Sequence, residues 1–253
     1  MSYLPGSLFL QVLSLCSLTL ALQPSDIFSW TKQCSLSSPT LTDCLKFSFQ
    51  EIINNFDNEE DQDEEERVDP LLIPEIPFSY GGELSPDRLD LTLSGLALHG
   101  LSKSVVTGVR VNVNDKSALR LEVDLRNPLY YLEGDYSVRS ERSFSAEGSF
   151  NVSIYEVRGT LVIKGHVIEI DDIEYLQVDR TSFKPYISDI KLTTKDRGSD
   201  PGLTQMVVTL VNMYWRQFYE DFLPLVEEAL GDAIRAYAEA LIENVPLAEI
   251  ILP

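Results

Sequence analysis

The chain has 253 residues, 44% of them hydrophobic, and a formal net charge of -20. That suits one well-filled core rather than two domains. The acid excess repels phosphate backbones and anionic headgroups, which argues against nucleic acid as a partner and against stable membrane insertion.

The first element is the stretch LFLQVLSLCSLTLAL from Leu8 to Leu22. It has the length of a signal-peptide core and is short for a membrane span. Residues 1–22 are therefore expected to be a cleaved signal peptide and residues 23–253 a single secreted domain, with a short membrane anchor as the alternative. Cleavage removes Cys16 and leaves Cys34 and Cys44. In an exported protein such a pair is most simply a disulfide, the alternative being two buried free thiols. With two histidines in the chain, His99 and His166, a metal site lacks ligands, and no cofactor is expected.

In CLKFSFQEII, which starts at Cys44, Leu45, Phe49, Ile52 and Ile53 recur at helical spacing behind a cap at Thr42 or Asp43. This predicts a short amphipathic helix, stapled at its start. The run from Asp57 to Glu66 then supplies eight acids. Such density cannot bury apolar surface, so residues 57–67 are expected to be a flexible solvated loop. A calcium loop is excluded, because Gln62 and Val68 stand where the turn glycine and the bidentate glutamate belong.

After VDPLLIPEIPF, whose prolines force an extended path, apolar and polar residues alternate. Leu89, Leu91 and Leu93 form one row, and Val109, Val111 and Val113 another. Leu119, Leu121, Val123 and Leu125 form a third, and Phe150, Val152 and Ile154 a fourth. Further strands are expected in GTLVIKG, HVIEI and ISDIKLTT, with turns at NDKS and RNP. This is an antiparallel sheet with one wet and one dry face.

From about Leu203, Val207, Val211, Trp215, Phe218, Phe222, Val226, Leu230, Ala233, Tyr237 and Leu241 draw one stripe on a helix. At 1.5 Å per residue, about forty residues span roughly 60 Å. Pro224 is expected to bend it around the sheet. The stripe is too wide and aromatic for a coiled-coil seam. The fold class is α+β: a long C-terminal α-helix wrapped by a strongly curved antiparallel β-sheet, with a short disulfide-stapled N-terminal helix. The apolar tail ENVPLAEIILP is expected to fold back over one end.

No G-x-S-x-G elbow, G-x-G-x-x-G turn or H-E-x-x-H pair occurs in the sequence. In GLALHGLS, Leu101 occupies the place of the phosphate-binding lysine, and His99 and His166 have no nucleophile beside them in sequence. A non-enzymatic protein is expected. NVS at Asn151 is a glycosylation sequon, and Asn151 points opposite to Phe150 and Val152, hence outward.

Several motifs together carry a family resemblance. They are Cys34 and Cys44 with Leu45 and the helix after them; VDPLLIPEI with Asp69 and Pro70; GLALHGLSKSVVTGVRVNV; the LEGDYSV turn; and VNMYWRQFYEDFLPLVEEAL with LIENVPLAEI. From about Cys34 to its end the chain resembles the takeout and haemolymph juvenile-hormone-binding protein family of arthropods. The resemblance implies a fold similar to tubular lipid-binding modules and a secreted carrier of hydrophobic small molecules, such as terpenoid hormones, in an elongated cavity. It also implies that Cys34 and Cys44 staple the first helix beside the cavity mouth. The chain departs from the family pattern in its acidic run, in Ala146 where a glycine is usual, and in lacking a second cysteine pair.

A curved sheet around an aromatic helix leaves gaps that an apolar guest can fill, at about 0.8 kcal/mol per buried methylene. The candidate ligand contacts are Leu41 and Leu45 near the staple, Phe150, Val152 and Ile154 on the sheet, and Trp215 and Phe218 on the helix. Tyr130, Tyr131 and Tyr136 are the candidate polar groups, since a phenol can stand in an apolar wall and still form a hydrogen bond. Every such residue is also what an ordinary sheet-on-helix core contains. A monomer is expected, with any protein receptor unspecified. Two other readings stand beside the carrier: an interaction module docking its acidic loop on a basic partner, and an allergen-like binder of microbial lipid.

Overall fold

Alternation of apolar and polar side chains builds the sheet, and two of its strands are far longer than the sequence pattern suggests. The computed structural model describes residues 33–57, 68–80, 88–140, 145–197, 201–242 and 245–252. The expected signal segment and the acidic run beyond Asp57 lie outside the described residues. In chain order the elements are β1 (Cys34–Ser35), α1 (Leu41–Asn54), β2 (Leu71–Ile73), β3 (Ile76–Tyr80), β4 (Leu89–His99) and β5 (Val105–Asn112). There follow β6 (Leu119–Ser140), β7 (Ser145–Ile170), β8 (Ile173–Tyr186), β9 (Asp189–Asp196), α2 (Pro201–Ile242), α3 (Leu247–Ile250) and β10 (Ile251–Leu252).

Strands β2 to β9 form one curved antiparallel sheet. β6 and β7 are its spine, paired from Leu119 opposite Gly165 to Arg139 opposite Ser145. One half of the spine is flanked by β5 and β8, the other by β4 and β9. RNP is not the expected turn, and neither is LEGDYSV, because β6 runs through both. GTLVIKG and HVIEI likewise belong to the single strand β7. Pro128 is tolerated mid-sheet because the ladder skips its pairing with Glu156, whose φ is 49°. The inward row slips by one residue there on both strands. Leu121, Val123 and Leu125 give way to Tyr130 and Leu132, while across the ladder Leu161 and Val157 give way to Ile154, Val152 and Phe150.

A buried polar knot holds this crossover. Asn127 is fully buried; its amide donates to the carbonyl of Gly100 (2.7 Å) and to Ser104 Oγ (3.0 Å), and its side-chain oxygen accepts the Leu129 N–H (2.8 Å). Nearby, the Asp69 carboxylate accepts the Gly100 and Ser102 N–H groups and the Ser102 hydroxyl. The aspartate of VDPLLIPEI thus fixes the turn between β4 and β5.

Helix α1 begins at Leu41, ahead of the expected cap: the Cys44 N–H already bonds the Thr40 carbonyl, while the Thr40 hydroxyl is turned to Ser38 and makes no cap bond. It is stapled at its start by the Cys34–Cys44 disulfide, with Cα atoms 5.8 Å apart. Its Leu45, Phe49 and Ile53 pack on Val106, Val109 and Val123. The C-terminal tail does fold back: β10 pairs with β1 in parallel.

Helix α2 has 42 residues, and its non-helical residue is Tyr214 (φ -121°, ψ 21°), upstream of Pro224, where the bend was expected. The cause lies along the β8–β9 edge. The Asn212 amide takes both the N–H and the carbonyl of Leu192, Arg216 donates to the Ser188 carbonyl, and Tyr219 donates to that of Pro185. Tied to successive points of a curved edge, the helix bends where the ties are.

Candidate ligand cavity

The stripe on α2 faces the dry side of β3, β4 and β6 to β9 but does not fill it. A continuous cavity of about 580 Å³ runs between them, from Leu125 and Leu161 near α1 to Leu89, Val138, Thr204 and Val207 at the start of α2. Its walls are leucine, valine and isoleucine with Phe150, Phe183, Trp215, Phe218 and Phe222. Phe222 is held by a stacked Phe78, ring centroids 4.3 Å apart.

Missing Cβ atoms deepen the floor. A Cβ on Gly134 would lie 2.7 Å from Leu96 Cδ2 and 3.2 Å from Phe150, and one on Gly148 would lie 2.8 Å from the Tyr136 hydroxyl. Side chains from neighbouring strands therefore lie flat over bare backbone. Ala146, which departs from the family's glycine, is buried and lines the cavity.

Few polar groups face this space: the hydroxyls come from Tyr130, Tyr136, Tyr219, Thr194 and Thr204. Tyr130 is bonded to Ser104 at 2.8 Å and belongs to the Asn127 knot; burial pushes its phenol above the ordinary value. Tyr219 is spent on the Pro185 carbonyl, and burial, helped by the charge of Glu227, pushes it up to about 12. Tyr136, Thr194 and Thr204 all belong to the end at the start of α2.

Of the residues singled out from sequence, Tyr130, Tyr136, Phe150, Val152, Ile154, Trp215 and Phe218 line the cavity. Tyr131, next to inward Tyr130, is exposed on the outer face. Leu45 packs under α1, and half-buried Leu41 stands in its first turn; neither lines the cavity. The disulfide is therefore at the end remote from the start of α2, where the cavity meets the surface through Val207 and Phe218, which are both exposed and lining. Asn151 opens onto a shallow outer cleft of about 440 Å³ beside Glu133 and Thr193. Wall residues that the sequence reading passed over include Ile190, which alternates within the expected strand ISDIKLTT, Val138, which lies in the LEGDYSV stretch read as a turn, and Phe183, which lies outside the expected strands.

His99 Nε2 lies 3.0 Å from Glu133 and His166 Nδ1 2.9 Å from Asp179, both at the surface. Among the described residues no cluster of three or more His, Cys, Asp or Glu could hold a metal, and no helix is long and apolar enough to cross a membrane.

The fold has a counterpart among solved structures. The crystal structure of Epiphyas postvittana Takeout 1 superposes with a TM-score of 0.70 at 19% identity, over 88% of this chain and 100% of that one. A lipopolysaccharide binding protein matches more distantly, with a TM-score of 0.39 at 12% identity over 69% of this chain and 34% of the other. No curated protein matches by sequence. The sequence model described as haemolymph juvenile hormone binding protein matches residues 10–252. With that span matched, the chain belongs to the haemolymph juvenile hormone binding protein family.

Proposed function

We propose that the protein is a secreted, monomeric, non-enzymatic carrier of a small hydrophobic ligand, a juvenile-hormone-like terpenoid, a fatty acid or a similar lipid. The observation that carries this reading is the apolar cavity of about 580 Å³ between α2 and the sheet. Two of its tyrosine hydroxyls are already spent on Ser104 and on the Pro185 carbonyl, so affinity comes from buried area rather than hydrogen bonding. Membership of the haemolymph juvenile hormone binding protein family points the same way. Phe150, Val152, Ile154, Trp215 and Phe218 are the proposed contacts, with Tyr130 and Tyr136 as tyrosines of the same wall.

Secretion is supported by the apolar stretch Leu8–Leu22 and by the disulfide. In the secretory route Asn151 is the proposed glycan site, checked by a mass shift on enzymatic deglycosylation.

The test is native mass spectrometry of the secreted protein, purified without detergent, followed by organic extraction. A stoichiometric terpenoid or fatty molecule is the expected result. An empty protein that also takes up no fluorescent apolar probe would overturn the reading.

A further inference from the structure

The first half of α2 is apolar on its outer side as well as its inner one. Val208 and Trp215 are turned in and buried, yet Met206, Val207, Leu210, Met213, Tyr214 and Phe218 are between 42% and 65% exposed. Met206, Leu210 and Met213 share one side of the helix by spacing. From Pro201 to Trp215 there is no Asp, Glu, Lys or Arg, in a chain that is 24% charged. A face of this size and kind on a soluble protein marks an interaction site. It is also continuous with the cavity, because Val207 and Phe218 belong to both.

The borders of the face are charged. Arg216 and Lys191 are exposed and have no acidic partner among the described residues. Arg216 rests on the Trp215 ring, and Lys191 adjoins Leu192, which Asn212 holds against the helix one residue before Met213. Glu220 and Asp221 close the face beyond Phe218. An uncharged helix face carrying aromatic, leucine and methionine side chains, with cations at its edge, is the pattern of a helix lying in a membrane interface.

We propose that this face docks reversibly on the surface of a phospholipid bilayer and turns the cavity mouth toward the lipid. A second copy of the chain is the poorer occupant. Two-fold pairing would seal both mouths, whereas lipid phosphates complement Arg216. The protein's overall acid excess favours a zwitterionic surface over an anionic one. The N-terminal apolar segment is not the occupant on the secreted reading, which removes it as a signal peptide. Docking requires only the helix face; transfer of cargo from the bilayer rests on the carrier reading above.

The experiment is flotation of the full secreted protein with phosphatidylcholine vesicles, run beside probe uptake in solution. The wild type floats, and Leu210→Asp with Met213→Asp lowers the bound fraction about tenfold or more while leaving uptake and melting temperature unchanged. An uncharged pair, Met206→Asn with Leu210→Asn, produces the same loss and separates lost apolar area from added repulsion. The proposal is overturned if the wild type stays at the bottom, if the variants float equally well, or if sedimentation finds a wild-type dimer that the variants dissociate. Flotation without probe uptake sustains the docking face and removes the carrier reading instead.

Discussion

The two halves of the spine, one under α1 and one under the first part of α2, are paved by the same two strands and end up packed differently. Under α1, Ile53, Val106, Val109 and Val123 are all less than a tenth exposed. Under α2, Phe150 and Leu96 are buried, but Leu93, Val152, Leu192 and Leu225 around them are only partly so, and the cavity remains. The difference lies in how each cover is attached. Helix α1 is also tied to backbone, by Gln50 to the Ser104 carbonyl and the Val106 N–H and by Lys46 to the Thr107 carbonyl. These ties sit beside its apolar contacts, which settle into the valine rows until the gap closes. Helix α2 is fastened along one edge by polar ties from Asn212, Arg216 and Tyr219 to backbone atoms, and these fix its height above the sheet. A helix held by its edge cannot settle to close the space beneath it.

The crossover knot keeps the halves distinct, so breaking it has the largest expected effect. Asn127→Leu orphans the Leu129 N–H and removes one bond each from the Gly100 carbonyl, which keeps the Lys103 N–H, and from the Ser104 hydroxyl, which keeps Tyr130. At about 1–3 kcal/mol for the orphaned N–H and about 1 kcal/mol for each of the two other lost bonds, the loss is about 3 kcal/mol or more in urea unfolding. A loss below about 1 kcal/mol would mean that the knot is dispensable.

Volume changes separate the halves next. Ile53→Ala, under α1, is expected to cost about 2–4 kcal/mol, because the filled side cannot collapse further. Val152→Trp, under α2, adds bulk to existing space, so it is expected to shift stability by about 1 kcal/mol or less while abolishing probe uptake. Similar large costs at both sites, read from denaturant midpoints, would show the cavity side to be as tightly filled as the other.

Alkaline pH gives a smaller effect. Tyr130, Tyr219 and Tyr237 all have phenols raised by burial, so folding favours their neutral forms. That stability is complete below the ordinary phenol value of 10.0 and, for Tyr219, is lost as pH rises toward about 12. Tyr219→Phe, which also removes a tie of α2, should lower stability at neutral pH and flatten the decline between those values. An unchanged alkaline slope would show that Tyr219 does not titrate with unfolding.

The long helix and the dry face were legible in the sequence because their periods hold within each run. Trp215, Phe218, Phe222 and Val226 fall on one stripe, and Phe150, Val152 and Ile154 on one row. Strand length was not legible. Pro128 reads locally as a turn residue, and only the left-handed Glu156 far away in sequence makes it a skipped rung. The position of the bend was hidden for the same reason: Pro224 is a local signal, whereas the ties at Asn212 and Arg216 depend on where β9 ends up. Gly134 falls in the LEGDYSV stretch read as a turn, and with Gly148 it instead makes room for Phe150 and Tyr136.

The smallest expected effect comes from the tyrosines, and here a signal was present and passed over. Tyr130 and Tyr136 share the even-numbered row of β6 with Leu132 and Val138, while Tyr131 is odd-numbered and faces water. Tyr131→Ala should therefore leave probe uptake unchanged and move stability by no more than about 0.5 kcal/mol. Tyr136→Phe keeps the ring over Gly148 and removes only the hydroxyl, so an apolar probe should bind it as well as the wild type. A probe with a polar end should bind it more weakly, by about 1 kcal/mol for one lost hydrogen bond. Equal binding of both probes would mean that the cavity reads shape alone. Weaker binding by Tyr131→Ala would instead place the ligand on the outer face of the sheet, away from the cavity.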